Sequence, residues 1–125
     1  MLIPALARHH PEHALCRPQI ARLSAVPAHV LLETYSWLTG YRAGVSFSPA
    51  SAHALLDALE LEIVQLPAGD YLGLVGRFAF GQRAGAAIYD AQIAATAKHH
   101  GLKLLSRDRR AAATYELIGV DYELV

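Results

Sequence analysis

The spacing of apolar and polar positions changes period along the chain, and the changes mark the elements. In GAAIYDAQIAATAKHHGLKLLSRD, Gly85 to Asp108, residues Ile93, Ala94 and Ala97 share one side of a helix that turns about 100° per residue. Asp90 continues that side. Gly101 supplies a helix stop, the apolar run Leu102 to Leu105 predicts a short strand, and Asp108 follows its end. A second helix is predicted from Pro27, which suits a first helical position, to Leu38, with Gly40 at its end. Its apolar residues lie on two lines, Leu31, Tyr35 and Leu38 on one and Val30 and Trp37 with Glu33 between them on the other, so both sides are expected to be covered.

The remaining pattern is simpler. LIPALA opens a short helix that ends before Pro11, and Ala14 to Leu23 predicts another, followed by an extended Ser24 to Val26. Ser48 and Pro49 are favoured residues for the cap and first position of a helix running to about Leu61. Ile63 to Pro67 reads as a buried strand, and Asp70 opens a helix through Phe80 whose aromatic residues are expected in the core. After Asp108, RRAAATYELIG predicts a helix stopped by Gly119, and DYELV a last strand. Apolar strands alternating with helices predict an α/β layered fold with a mainly parallel sheet, in which sites form beyond the carboxyl ends of strands.

Composition narrows the picture without choosing a function. A chain of 125 residues, 54% hydrophobic, is long enough for one domain with its own core. Eleven basic and eleven acidic residues cancel, so any affinity for nucleic acid has to come from local charge. The single Cys16 cannot form an internal disulfide, and no apolar run approaches a membrane span, which makes a cytoplasmic protein with no membrane partner the expectation.

Asp90 is the first candidate for chemistry. A carboxylate on the core side of a helix is costly unless something pairs with it, and a cation shared with other carboxylates would satisfy it. Asp108 offers a second oxygen ligand and Glu33 a third. Each also has a plainer role available, Asp90 at a helix start, Asp108 as a cap, Glu33 as an exposed helix residue. Arg107, Arg109 and Arg110 flank Asp108 and are candidates to draw in phosphate, or else a solvated turn. His9 and His13 have the spacing of a metal pair, but Pro11 between them breaks the helix that would align them. His99 and His100 suit the end of their helix better than a catalytic role.

Taken together, AHVLLETYSWL with Glu33 and IYDAQIAATAKHHGLKLLSRD with Asp90, Ser106 and Asp108 resemble the PIN-domain family, and within it the VapC-type toxins of bacterial toxin-antitoxin pairs. The resemblance runs through the whole chain. Its most specific part is the Tyr-Asp-Ala helix followed by a strand and Ser-x-Asp. It implies a three-layer α/β/α sandwich formed by one domain over residues 1–125, and a metal-dependent endoribonuclease. Glu33, Asp90 and Asp108 would be the catalytic acids that hold Mg2+ or Mn2+, Ser106 would support them through its hydroxyl, and the partners would be RNA, a cognate VapB-like antitoxin and a second copy of the chain. The sequence departs from the family in one place. Family members open with a strand ending in an Asp, and Met1 stands at about that junction, so the expectation is an N-terminally incomplete sheet. A noncatalytic or truncated PIN-fold protein that binds an antitoxin is the alternative reading.

Overall fold

Local chemistry sets the element boundaries in a computed structural model that describes residues 1–40 and 46–125. The chain divides into two compact units, Met1–Ile63 and Val64–Val125.

The first unit opens with helix α1 (Leu2–Leu6), which buries Leu2, Pro4, Ala5 and Leu6. The single helix expected over Ala14 to Leu23 is instead the short α2 (His13–Cys16) and a 3-10 turn over Arg17–Arg22. Pro18 is the reason, since it has no N–H to continue an α-helical ladder. Strand β1 (Ala25–Pro27) leads into α3 (Ala28–Thr39), with Pro27 at the N-cap and Gly40 at the C-cap. In α4 (Pro49–Asp57) Ser48 Oγ accepts the Ser51 N–H at 3.1 Å, the cap that the Ser-Pro pair predicted. Leu2, Leu6, Ala7, Val26, Leu38 and Ala52 form this unit's core, with Trp37 and Leu31 partly buried against it.

Helix α3 corrects one expectation. Only Thr34 and Leu38 are buried along it, while Glu33 and Tyr35 are exposed. Thr34 and Leu38, four apart, define one core stripe, and Glu33 lies a quarter-turn or more away from it. Among the described residues of this unit nothing draws the Glu33 carboxylate inward.

Strand β2 (Glu62–Val64) pairs with β1 in a two-stranded sheet. It is half-buried rather than fully buried. Val64 and Leu66, two residues apart, are buried, and Ile63, next to Val64, is 60% exposed, as the two-residue period requires.

The second unit builds on α5 (Asp70–Phe80) and α6 (Ala87–His99). Phe78 of α5 is buried as expected, but Phe80 is 94% exposed, because two residues along a helix is more than half a turn. Helix α6 turns Ala91, Ala94 and Ala97 into the core, and these small side chains let α7 (Ala112–Ile118) pack against it. At its end Gly101 adopts φ +65°, the Gly101 N–H reaches Lys98 O at 3.1 Å and the Leu102 N–H reaches Ala97 O at 2.9 Å. Leu102 is thus consumed in closing the helix, and β3 runs over Leu104–Ser106 rather than Leu102 to Leu105.

Strand β3 pairs in parallel with β4 (Tyr122–Leu124), Leu104 opposite Tyr122 and Ser106 opposite Leu124, with a 3-10 turn (Arg109–Ala111) and α7 as the crossover. Among the described residues the strands form two two-stranded sheets, a mixed α/β arrangement of the expected class. No helix of the described residues is long and apolar enough to cross a membrane.

Gly119 closes α7 at φ +73°, and Lys98 Nζ donates to the Ile118 carbonyl at 2.8 Å beside it. A Cβ at Gly119 would meet only the flexible tip of Lys98, at 3.3 Å, so backbone strain decides the cost. Gly119→Ala is expected to destabilise the protein by about 1 kcal/mol, measured as a lowered urea midpoint with unchanged slope.

Candidate metal centre

Asp90 lies in the first turn of α6, partly buried, one residue before the buried Ala91. The helix N-terminus favours its charge. Across the unit, Asp108 follows β3 and caps the 3-10 turn: its Oδ1 accepts the Arg110 N–H at 2.9 Å. The plainer role foreseen for Asp108 is therefore real. The Arg110 side chain closes on the same carboxylate, Nε to Oδ1 at 3.2 Å and Nη2 to Oδ2 at 3.4 Å. That hydrogen-bonded guanidinium holds the Asp108 carboxyl below its ordinary pKa in spite of some burial.

Ser106, at the end of β3, is 7% exposed. Its Oγ accepts the Asp108 N–H at 3.1 Å and lies 3.0 Å from the hydroxyl of Tyr115, a residue of α7. Burial is the main cause that pushes the Tyr115 phenol above its usual pKa, and the negative charges of both Asp90 and Asp108 push it further. The same two carboxylates, Asp108 more than Asp90, also raise the pKa of Arg110. Asp90 and Asp108 thus act electrostatically on two common neighbours, Arg110 and Tyr115.

Glu33 belongs to the first unit, exposed on α3. Of the three arginines, Arg107 donates from Nη1 to the Val125 carbonyl, which ties it to the end of β4, while Arg109 is exposed and Arg110 is engaged with Asp108. His9 stacks on Trp37 with centroids 5.9 Å apart and His13 Nδ1–H donates to Pro4 O at 3.0 Å, so they do not act as a pair. His100 Nε2 bonds the Gln65 carbonyl, at the far end of α6 from Asp90.

The residue that the sequence pattern did not single out is Tyr115. Its signal was present: a tyrosine on the apolar stripe with Ile118 has a polar tip to satisfy in the core, and Ser106 is the group that satisfies it.

Among the described residues no three His, Cys, Asp or Glu side chains come together as a ready cage for an ion. The donor chemistry of the Asp90 and Asp108 patch nonetheless suits a hard divalent cation, since it offers carboxylate and hydroxyl oxygens and no sulfur or imidazole. Asp108 already attracts a positive group, the Arg110 guanidinium, which is 93% exposed and can leave. The residues present fit such an ion.

Comparison with known proteins gives a consistent result. The family model for the PIN domain matches residues 1–117. Two proteins named Ribonuclease VapC40, from Mycobacterium tuberculosis strains CDC 1551 / Oshkosh and ATCC 25618 / H37Rv, are each 37% identical to the chain over 126 aligned positions, which cover 100% of it and 94% of the relative. Ribonuclease VapC27 of strain ATCC 25618 / H37Rv is 37% identical over 119 positions, 94% of the chain and 87% of that protein.

Proposed function

The chain belongs to the PIN-domain family, as a VapC-type member, and from that premise we propose that it is a toxin that cleaves RNA phosphodiester bonds and is restrained by a cognate VapB-like antitoxin. The observation that carries this reading is the full-length similarity to proteins named ribonucleases. The convergence of Asp90 and Asp108 on shared neighbours supports it from the side of the structure.

In this reading Glu33, Asp90 and Asp108 hold Mg2+ or Mn2+, with Ser106 as support. When bound, the ion supplies a water of lowered pKa and neutralises charge developing on the phosphate. The chain's own residues do the rest. The α6 N-terminus and the Ser106 hydroxyl position the acids. Arg110, exposed beside Asp108, would present its planar, two-pronged guanidinium to a phosphate of the RNA, and Arg109 would add positive charge beside it. Arg107, held by the Val125 carbonyl, steadies the turn from behind.

The antitoxin, a homodimeric state and a cytoplasmic location are carried over from the family. The lone, buried Cys16 agrees with a reducing compartment. We read residues 1–125 as belonging to a single PIN domain. β4 is the only neighbour of β3 among the described residues, and the Leu105 N–H and C=O face the other edge.

The direct test of function is cleavage of a single-stranded RNA by the purified protein. Cleavage that requires Mg2+ or Mn2+, stops with EDTA and stops with stoichiometric antitoxin is the expected result. A folded sample that binds antitoxin but cleaves no RNA with either ion would establish the noncatalytic alternative. Arg110→Gln is expected to raise the RNA concentration for half-maximal rate by roughly three- to tenfold and to flatten its salt dependence by about one phosphate contact. The rate at saturating RNA should fall far less. An unchanged half-saturation value would remove Arg110 from the RNA surface.

A further inference from the structure

We propose that Tyr115 is a positioning residue of the metal centre, which acts through Ser106 to fix the Asp108 carboxylate. The inference rests on the reading of Asp90 and Asp108 as metal ligands and extends it into the core.

Tyr115 is 3% exposed on α7, with its ring edge-on to Tyr122 at 5.3 Å between centroids, and its hydroxyl meets Ser106 Oγ at 3.0 Å. Among the described residues the Tyr115 hydroxyl has Ser106 Oγ as its partner, and no buried side-chain polar atom is left unsatisfied. Either hydroxyl can donate across this contact.

Ser106 Oγ also accepts a hydrogen bond from the Asp108 N–H at 3.1 Å. The Tyr115 hydroxyl accordingly does two things from one place. It sets the rotor of Ser106, and through the Asp108 N–H it fixes where the backbone enters the turn that presents Asp108. Because α7 anchors Tyr115 in the same core as Ala91 and Ala94 of α6, the helix that carries Asp90 and the turn that carries Asp108 are referenced to one rigid body. Partners that orient the ligands of an ion typically change its affinity without touching it.

The test uses the whole chain and Mn2+ alone, with binding followed by loss of the free-ion EPR signal and no RNA present. Tyr115→Phe keeps the ring against Tyr122 and removes one oxygen, and Ser106→Ala removes the same hydrogen bond from the other side, so either variant can carry the result if the other folds poorly. Each is expected to weaken Mn2+ binding roughly tenfold with native far-UV circular dichroism. The double variant should weaken it no further than the worse single, because both substitutions break one linkage. A purely structural tyrosine would lower the thermal midpoint and leave Mn2+ affinity within about twofold of the parent, and that outcome, or losses that multiply in the double variant, overturns the proposal. Asp90→Asn separates this failure from that of the wider reading. If Asp90→Asn abolishes Mn2+ binding and Tyr115→Phe does not, the positioning role alone falls; if the parent binds no Mn2+, the metal reading falls and this inference with it.

Discussion

Asp90→Asn is expected to slow RNA cleavage by about 10²–10³-fold, the loss of roughly 3–4 kcal/mol of transition-state stabilisation. The substitution is nearly isosteric. What it removes is charge, and the charge matters because an amide oxygen is a poorer ligand for a hard cation than a carboxylate. Stability should hardly move. Asn at the start of α6 forfeits the favourable interaction of a negative charge with the helix N-terminus, worth up to about 1 kcal/mol. The same change relieves repulsion between two carboxylates that act on the same Arg110 and Tyr115, and the two effects oppose. Single-turnover cleavage at saturating Mn2+, beside a thermal melt, reads both at once. Retention of the parent rate within about threefold would remove Asp90 from the chemistry.

Much of this was legible in the chain because each signal was local. The Ser48 cap, the Pro27 helix entry and the Gly101 and Gly119 stops depend on residues within one turn of each other, and all four appear where the pattern put them. Errors came where a boundary depended on competition. Leu102 is apolar enough for a strand, but its N–H is taken by Ala97 O, so the helix end wins it. Phe80 is hydrophobic enough for a core, yet its angle on α5 turns it to solvent.

The candidate site follows the same division. Asp90 and Asp108 could be singled out because charge in an apolar context is conspicuous. Tyr115 could not, because a tyrosine on an apolar stripe looks like any core aromatic until its hydroxyl is seen on Ser106. Glu33 was singled out by the two apolar lines of its helix and by resemblance, but it is exposed on α3, where no local packing distinguishes it from an ordinary surface glutamate.

Asp108 combines two roles in one side chain, and a pair of substitutions is expected to separate them. Asp108→Ala removes the acceptor for the Arg110 N–H at 2.9 Å and so strips the cap from the 3-10 turn. That should cost about 1 kcal/mol of stability, in addition to a loss of cleavage of about 10²–10³-fold. Asp108→Asn retains a side-chain oxygen that can accept the same N–H, so most of the stability returns. Cleavage should not return with it. The paired hydrogen bonds from Nε and Nη2 of Arg110 weaken once the carboxylate is neutralised, and a divalent ion loses a charged ligand. Urea denaturation should therefore place Asp108→Asn near the parent and Asp108→Ala below it, while an RNA cleavage assay places both far below the parent. If cleavage instead tracks stability, with Asp108→Asn active and Asp108→Ala not, Asp108 is a cap that holds the turn, and the chemistry lies with other groups.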